Sequence, residues 1–303
     1  MVYLIDASVY VFRAWYSLPD HVCDDEGNPT NALYGFARLL CELLERRQPG
    51  YVGVAFDESL GGGFRSRLYP AYKANREPAP PELKRQFGLC REFCRHLGVA
   101  EFASGEYEAD DLIGSLAARV RREGLRVTIV SRDKDLSQLI GPGDVYWDYS
   151  GATEYCYEQI AARFGVAPER MADYLALTGD AVDNVPGVPG VGPKTAAALL
   201  GVFASLEELY ADLEAVAQLP LRGAAAVRER LRLHRDAAYR ARALTRICCE
   251  APLDGGREVV RRRSPDLAAL AVFCRQHGFG SSLPQQAQRI ARALGGNEPR
   301  TVA

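Results

Sequence analysis

Lysine is scarce in this chain, with four residues against 33 arginines over 303 positions. Other features are missing outright. No stretch approaches the ~20 uninterrupted apolar residues that a membrane-spanning helix needs, which excludes that class of protein. The opening MVYLIDASVYVFR reaches Asp6 too early for a signal peptide and has no leading basic region, so a cytoplasmic protein is expected. The eight cysteines, at 23, 41, 90, 94, 156, 248, 249 and 274, include no CxxC pair and no repeated spacing. A zinc or disulfide framework is therefore not indicated. Cys90 and Cys94 fall four apart on a predicted helix, but no His or Cys cluster accompanies them. Reduced, mostly buried thiols are expected.

What is present is ordinary for a folded chain: 48% hydrophobic and 25% charged residues, enough for two modest domains or one large one. The net charge of −2 conceals an uneven distribution. Residues 64–76 (FRSRLYPAYKANR) hold four basic groups and no acid, and residues 219–247 hold eight arginines against Glu229 and Asp236. Carboxylates gather elsewhere. Basic surfaces around an acidic centre suit a polyanion handled by metal ions.

The first half alternates short β-branched runs with amphipathic periodicity. VYLID (2–6), YVGVAFD (51–57) and RVTIVSRD (126–133) read as buried strands, each ending on an aspartate. Helical patterns cover 31–47, 81–97 and 108–123. This alternation predicts an α/β fold with a mostly parallel central sheet flanked by helices, whose ligands gather at the carboxyl ends of the strands. From about 158 the pattern is helical, with helices near 168–178, 193–200, 205–215, 223–243 and 265–276, interrupted by VPGVPGVGPK (185–194). The expected division is an α/β core over 1–165 and a helical region over 166–283. Residues 284–303 read as a marginal helix and a flexible tail.

Nine acids stand at strand ends and helix starts: Asp6, Asp57, Glu108, Asp110, Asp111, Asp133, Asp135, Asp180 and Asp183. Glu108 and Asp111 are three apart and share a helix face at its N-terminus; Asp180 and Asp183 are also three apart, in LTGDAVDNVPG. If the acids converge, each pair at ~6 Å costs roughly 3 kcal/mol at an effective dielectric near 20. Bound divalent cations relieve that cost, and all-oxygen ligation favours Mg²⁺ or Mn²⁺ over zinc. Two such ions are the usual apparatus of phosphodiester hydrolysis. The plainer alternative is that half of these acids are helix caps and solvated surface.

Read together, YLIDASVYVFRA, VAFD with FRSRLYPAYKANR, GEYEADDLIG, VSRDKDLSQL and LTGDAVDNVPGVPGVGPKTAAALL resemble the 5′-nuclease family, specifically the 5′→3′ exonuclease domain of bacterial DNA polymerase I. The resemblance implies metal ligation, direct or through water, by all nine acids, with two or more Mg²⁺ or Mn²⁺ ions. It also implies a helical arch at about 58–80, in which Lys73 and Arg76 meet the scissile phosphate and Tyr72 joins them. Arg65 and Arg67 would neutralise phosphates while Phe64, Tyr69 and Tyr72 offer faces for unstacked bases. The arch would hinge on Gly61–Gly63. A helix–three-turn–helix element at about 185–200 would grip duplex DNA through Gly187, Gly190, Gly192, Lys194 and Thr195, with K⁺ as a candidate ion there. Arg13 is a further expected DNA contact. Two departures are Ala7, where the family usually has glycine, and the three-glycine run itself.

The implied function is cleavage of DNA with a 5′ flap or 5′ end at single-strand/duplex junctions, including removal of RNA primers. A nucleoid-associated monomer is expected. A nuclease of the same plan preferring RNA or RNA–DNA hybrids, and a non-catalytic branched-DNA-binding module, are the alternatives. Three of the four lysines, Lys73, Lys134 and Lys194, fall inside these motifs, which hints that a compact ammonium is wanted there.

Overall fold

The chain begins with β1 (Val2–Asp6), α1 (Ala7–Ser17), α2 (Asn31–Arg47), β2 (Val52–Asp57) and the single-turn helix α3 (Phe64–Leu68). It continues through α4 (Pro81–His96), β3 (Ala100–Ser104), α5 (Ala109–Arg122) and β4 (Val127–Val130). A hairpin of β5 (Val145–Asp148) and β6 (Thr153–Tyr155) leads into α6 (Tyr157–Phe164), α7 (Met171–Thr178) and α8 (Pro193–Val202). The short α9 (Leu206–Ala211) and α10 (Leu213–Val216) precede α11 (Ala224–Leu233) and α12 (Arg235–Thr245). Last come α13 (Leu267–Gln276) and α14 (Ser282–Gly296). The computed structural model describes residues 1–58 and 63–296; Gly61 and Gly62 of the expected hinge lie outside them.

The chain forms two units, and neither is a continuous stretch. The first contains the described residues of 1–60, 78–132 and 249–303; the second contains those of 61–77 and 133–248. This division differs from the sequence split at 165/166.

In the first unit, β1 pairs in parallel with β2 and β4, and β2 with β3, giving the order β3-β2-β1-β4. Val2, Leu4, Ile5, Val52, Val54, Ala55 and Phe56 are buried on both faces, as a parallel sheet under helices requires. Residues 31–47 and 2–6 match the sequence reading. β3 was not expected, and its half-buried AEFAS has no β-branched residue to announce it. Residues 284–296 do not fray. Leu283, Ala287 and Ile290 form a buried i, i+4, i+7 stripe, and Gln286 and Arg289 both bond Glu45 of α2. The expected tail beyond 296 lies outside the described residues.

The second unit has its own core, which joins Leu175, Leu177, Val188, Val191, Leu199, Val227, Leu231 and Leu244. The helix expected over 223–243 is two helices separated at His234. Among the described residues of the expected helical arch, only Phe64–Leu68 are helical; Pro70 follows the single turn of α3, and Lys73 sits at φ 54°. Among the described residues all eight cysteines are free, four of them buried, and no helix is long and apolar enough to cross a membrane.

Candidate active site

In the first unit the acids stand where β1 and β2 end and α5 begins. Asp6, nearly buried, caps α1 through Val9 N (3.5 Å) and accepts from Ser131 Oγ at 2.7 Å. Asp57 Oδ1 accepts from Ala109 N at 2.8 Å, which ties the end of β2 to the start of α5. Ser8 Oγ in turn accepts from the Asp57 amide at 3.0 Å. Glu108 and Asp111 form a reciprocal capping box, with Glu108 N donating to Asp111 Oδ2 at 3.1 Å. Asp111 is 0% exposed and Asp110 half-buried beside it. The first amides of α5 and the Ser131 hydroxyl orient these carboxyl groups.

The second unit holds the other four acids differently. Asp133 was expected at a strand end, but β4 stops at Val130 and Asp133 instead caps the 3-10 turn Lys134–Leu139, accepting from Asp135 N at 2.9 Å. Burial, opposed by that hydrogen bond and reinforced by Asp183, raises its pKa. Burial and then the Asp133 charge push Asp135 up to about 7. Asp135 Oδ1 is buried and accepts no hydrogen bond; Lys134 Nζ is 3.5 Å away. Lys134 also pairs with Asp180, whose pKa falls although burial opposes it, and Asp180 Oδ1 accepts from Val182 N at 2.8 Å. Asp183 takes Arg76, Lys73 Nζ at 3.7 Å and Tyr72 Oη at 3.3 Å.

Segment 69–76 is laced onto this loop. Lys73 N donates to Asp183 O at 2.9 Å, Asn75 Nδ2 to Ala181 O at 3.2 Å, and Asn184 Nδ2 to Ala71 O at 2.7 Å. Lys73 and Asn184 both adopt φ 54°, a strained left-handed backbone that such contacts hold in place. Neither asparagine stood out in the sequence. Ser8 and Ser131, the neutral partners of Asp57 and Asp6, were also missed, although both lie inside the motifs quoted above.

Several expected DNA contacts are placed otherwise. Arg65 is only 3% exposed and donates from Nε to Leu244 O at 2.8 Å and from Nη2 to Arg246 O at 3.0 Å, so it closes the end of α12 rather than facing phosphate. Tyr72 is 7% exposed within the apolar cluster, with Lys73 Nζ 5.0 Å from its ring centre, and offers no open face. Tyr69 packs half-buried against the same cluster, and Phe64 lies under the Arg65 guanidinium. Arg13 and Arg67 are exposed.

The hairpin glycines act separately. A side chain on Gly187 would meet Gly179 N at 2.3 Å, so Gly187 serves the tight return of the chain. Gly190 has φ 75°, and Gly192 stands in open space at the start of α8, which no side chain caps. Lys194 is exposed there and Thr195 half-buried.

Among the described residues no three His, Cys, Asp or Glu side chains already enclose a metal position. The carboxylates are occupied by protein donors and cations instead. The second group nevertheless fits a hard cation: the Asp135 oxygen lacks a hydrogen bond, and Asp133 and Asp135 repel each other in a buried place.

Comparison with known proteins gives the lineage. Residues 1–165 match the 5′-3′ exonuclease N-terminal resolvase-like domain and residues 166–268 the 5′-3′ exonuclease C-terminal SAM fold. The chain belongs to the 5′-3′ exonuclease family. It is 38% identical over 213 residues to a 5′-3′ exonuclease of Aquifex aeolicus, covering 70% of this chain and 73% of the relative. It is 36% identical over 284 residues to DNA polymerase I of Bacillus caldotenax, covering 92% of this chain and 32% of that protein. The chain thus spans about a third of the polymerase I relatives it matches. In fold it is similar to T5 5′-exonuclease bound to divalent metal ions (TM-score 0.65, 18% identity, 97% and 99% of the two chains). The catalytic core of Rad2 in complex with DNA is similar too (TM-score 0.61, 18% identity, 96% and 91%).

Proposed function

We propose that this chain is a divalent-metal-dependent 5′ nuclease that hydrolyses DNA phosphodiesters at 5′ ends and at single-strand/duplex junctions, as a 5′→3′ exonuclease and flap endonuclease. The observation that carries the proposal is the acid set on the family's scaffold. Asp6, Asp57, Glu108, Asp110 and Asp111 are positioned by β1, β2 and α5, and Asp133, Asp135, Asp180 and Asp183 are gathered in the second unit. The first five would hold one Mg²⁺ or Mn²⁺ and the other four would hold or support a second. When bound, such ions supply an activated water and stabilise the charge on the leaving oxygen.

The chain's own residues do the rest. Ser131 and the first amides of α5 orient carboxylates of the first group, and Ser8 fixes the Asp57 backbone. Lys73 and Arg76, now on Asp183, carry the charge that would stabilise a phosphoryl group during cleavage. The hairpin between α7 and α8, ending at Gly192 and Lys194, acts as the duplex grip, with K⁺ as a candidate bridging ion. The substrate would be DNA with a 5′ flap or end, RNA primers included, and the enzyme would act as a monomer. Nine acids would gain nothing for a protein that only bound phosphates, which disfavours the binding-module reading.

A 5′-labelled flap duplex tests the proposal. Cleavage with Mg²⁺ or Mn²⁺ and none with EDTA is expected; tight binding without cleavage in every divalent ion would overturn it.

A further inference from the structure

Residues 219–247 carry eight arginines, and the duplex-grip reading uses none of them. Several are already engaged. Arg228 pairs with Glu214 at 2.6 Å, Arg232 with Glu229 at 2.6 Å, and Arg242 with Glu207 at 2.5 Å and Asp173 at 3.4 Å. Arg235 lies over the rings of Tyr210 and Tyr239. Arg230 differs. Its side chain is exposed, and among the described residues it meets no carboxylate and no hydrogen-bond acceptor.

What Arg230 meets is the hairpin. A methyl group built on Gly190 would lie 2.1 Å from Arg230 Nη1 and 2.8 Å from its Cζ, so the guanidinium fills the place a side chain would take. Gly190 is doubly constrained, by this neighbour and by its left-handed φ of 75°. The backbone sets the arrangement. Val227 and Leu231, three before and one after Arg230, are buried in the same apolar cluster as Val188 and Val191 of the hairpin. That packing fixes α11 beside the hairpin and leaves Arg230 at the edge of the buried stripe.

We infer that Arg230 is a phosphate-contacting residue of the duplex grip, acting with Lys194 on the backbone of the bound strand. The inference rests on the reading of the hairpin as that grip. A guanidinium offers two parallel N–H donors to phosphate oxygens, and one that is not already paired gives up no ion pair when it does so. Contact of this kind positions the duplex without reading its sequence.

The test is the salt dependence of binding to a 5′-flap duplex, measured in EDTA so that nothing is cleaved. Wild type is compared with Arg230→Ala, Arg230→Lys, Arg232→Ala and Lys194→Ala. Arg230→Ala should weaken binding several-fold and make the slope of log K against log salt shallower by about 0.9, the loss of one phosphate contact. Arg230→Lys should keep most of the slope, and Arg232→Ala, whose arginine is paired, should match wild type. Melting temperatures of all variants should agree, which separates contact from folding. If Lys194→Ala shallows the slope and Arg230→Ala does not, the hairpin grips DNA without Arg230 and the inference is wrong. If neither changes it, the duplex-grip reading falls and takes the inference with it. Equal losses from Arg230→Ala and Arg232→Ala would also overturn it, since the effect would be diffuse charge rather than a placed guanidinium.

Discussion

Hydroxyls and backbone amides contact the acids of the first unit, and ammonium and guanidinium groups contact those of the second. Asp6 accepts from the Ser131 hydroxyl, Asp57 from the Ala109 amide, and Glu108 and Asp111 cap α5 reciprocally, contacts that orient each carboxyl group. Asp180 and Asp183 are held by Lys134, Lys73 and Arg76, which cancel charge, while Asp133 and Asp135 are held up by burial and by each other. On the proposed reading, a divalent ion approaching the first group would meet oriented carboxyl groups. One approaching the second must displace ammonium and guanidinium groups, and relieves a buried repulsion as it does so. The proposed function thus makes the first group the tighter ion site, with the cations released from the second expected to meet phosphate.

The largest effect should come from the first group. Asp57→Asn removes the charge but keeps a hydrogen-bond acceptor for Ala109, and single-turnover cleavage should fall by at least ~10³-fold, about 4 kcal/mol of transition-state stabilisation. A loss under tenfold would break the comparison. Asp183→Ala should impair cleavage less, by roughly 10²-fold or more, while binding of the flap duplex is retained or improved because a negative charge facing phosphate is gone. Activity within about twofold of wild type would remove the second group from the catalytic apparatus.

Lys73→Ala separates the cation's two partners. It should lower the single-turnover rate by ~10²-fold with a smaller effect on affinity, as for a group that acts on developing charge. A fall in affinity alone would make Lys73 a positioning contact. Arg65→Met should have the smallest effect on DNA binding. Its guanidinium serves carbonyls of α12, so unfolding stability should drop by about 1.5–3 kcal/mol in urea titration while the salt slope of binding stays that of wild type. A shallower slope would return Arg65 to the phosphate-contacting set.

Much of the scaffold was legible because burial and local chemistry agree along the chain. β1 and α2 appear where the apolar runs place them, whereas α1, which Asp6 caps, has no counterpart among the helices read from the sequence. The acids were legible as residues but not by how they are held. Partners such as Ser131 for Asp6 and Asn184 for Ala71 are 125 and 113 positions away, and spacing carries no trace of them. The basic segment 64–76 misled because composition cannot tell a solvated arginine from one buried on carbonyls, as Arg65 is. The break at His234 has neither glycine nor proline to mark it, and Leu231 to Ala238 keeps helical spacing across it. Of the lysines in the motifs, Lys73 and Lys134 pair with Asp183 and Asp180, and Arg76 shares Asp183.

The central claim is that the two acid groups hold separate ions. Calorimetric titration of Mn²⁺ into the wild-type chain, Asp57→Asn and Asp135→Asn tests it directly. Two ions should bind the wild type, the tighter should disappear in Asp57→Asn, and only the weaker should disappear in Asp135→Asn. An unchanged stoichiometry in Asp135→Asn, or loss of the same ion in both variants, would contradict the account.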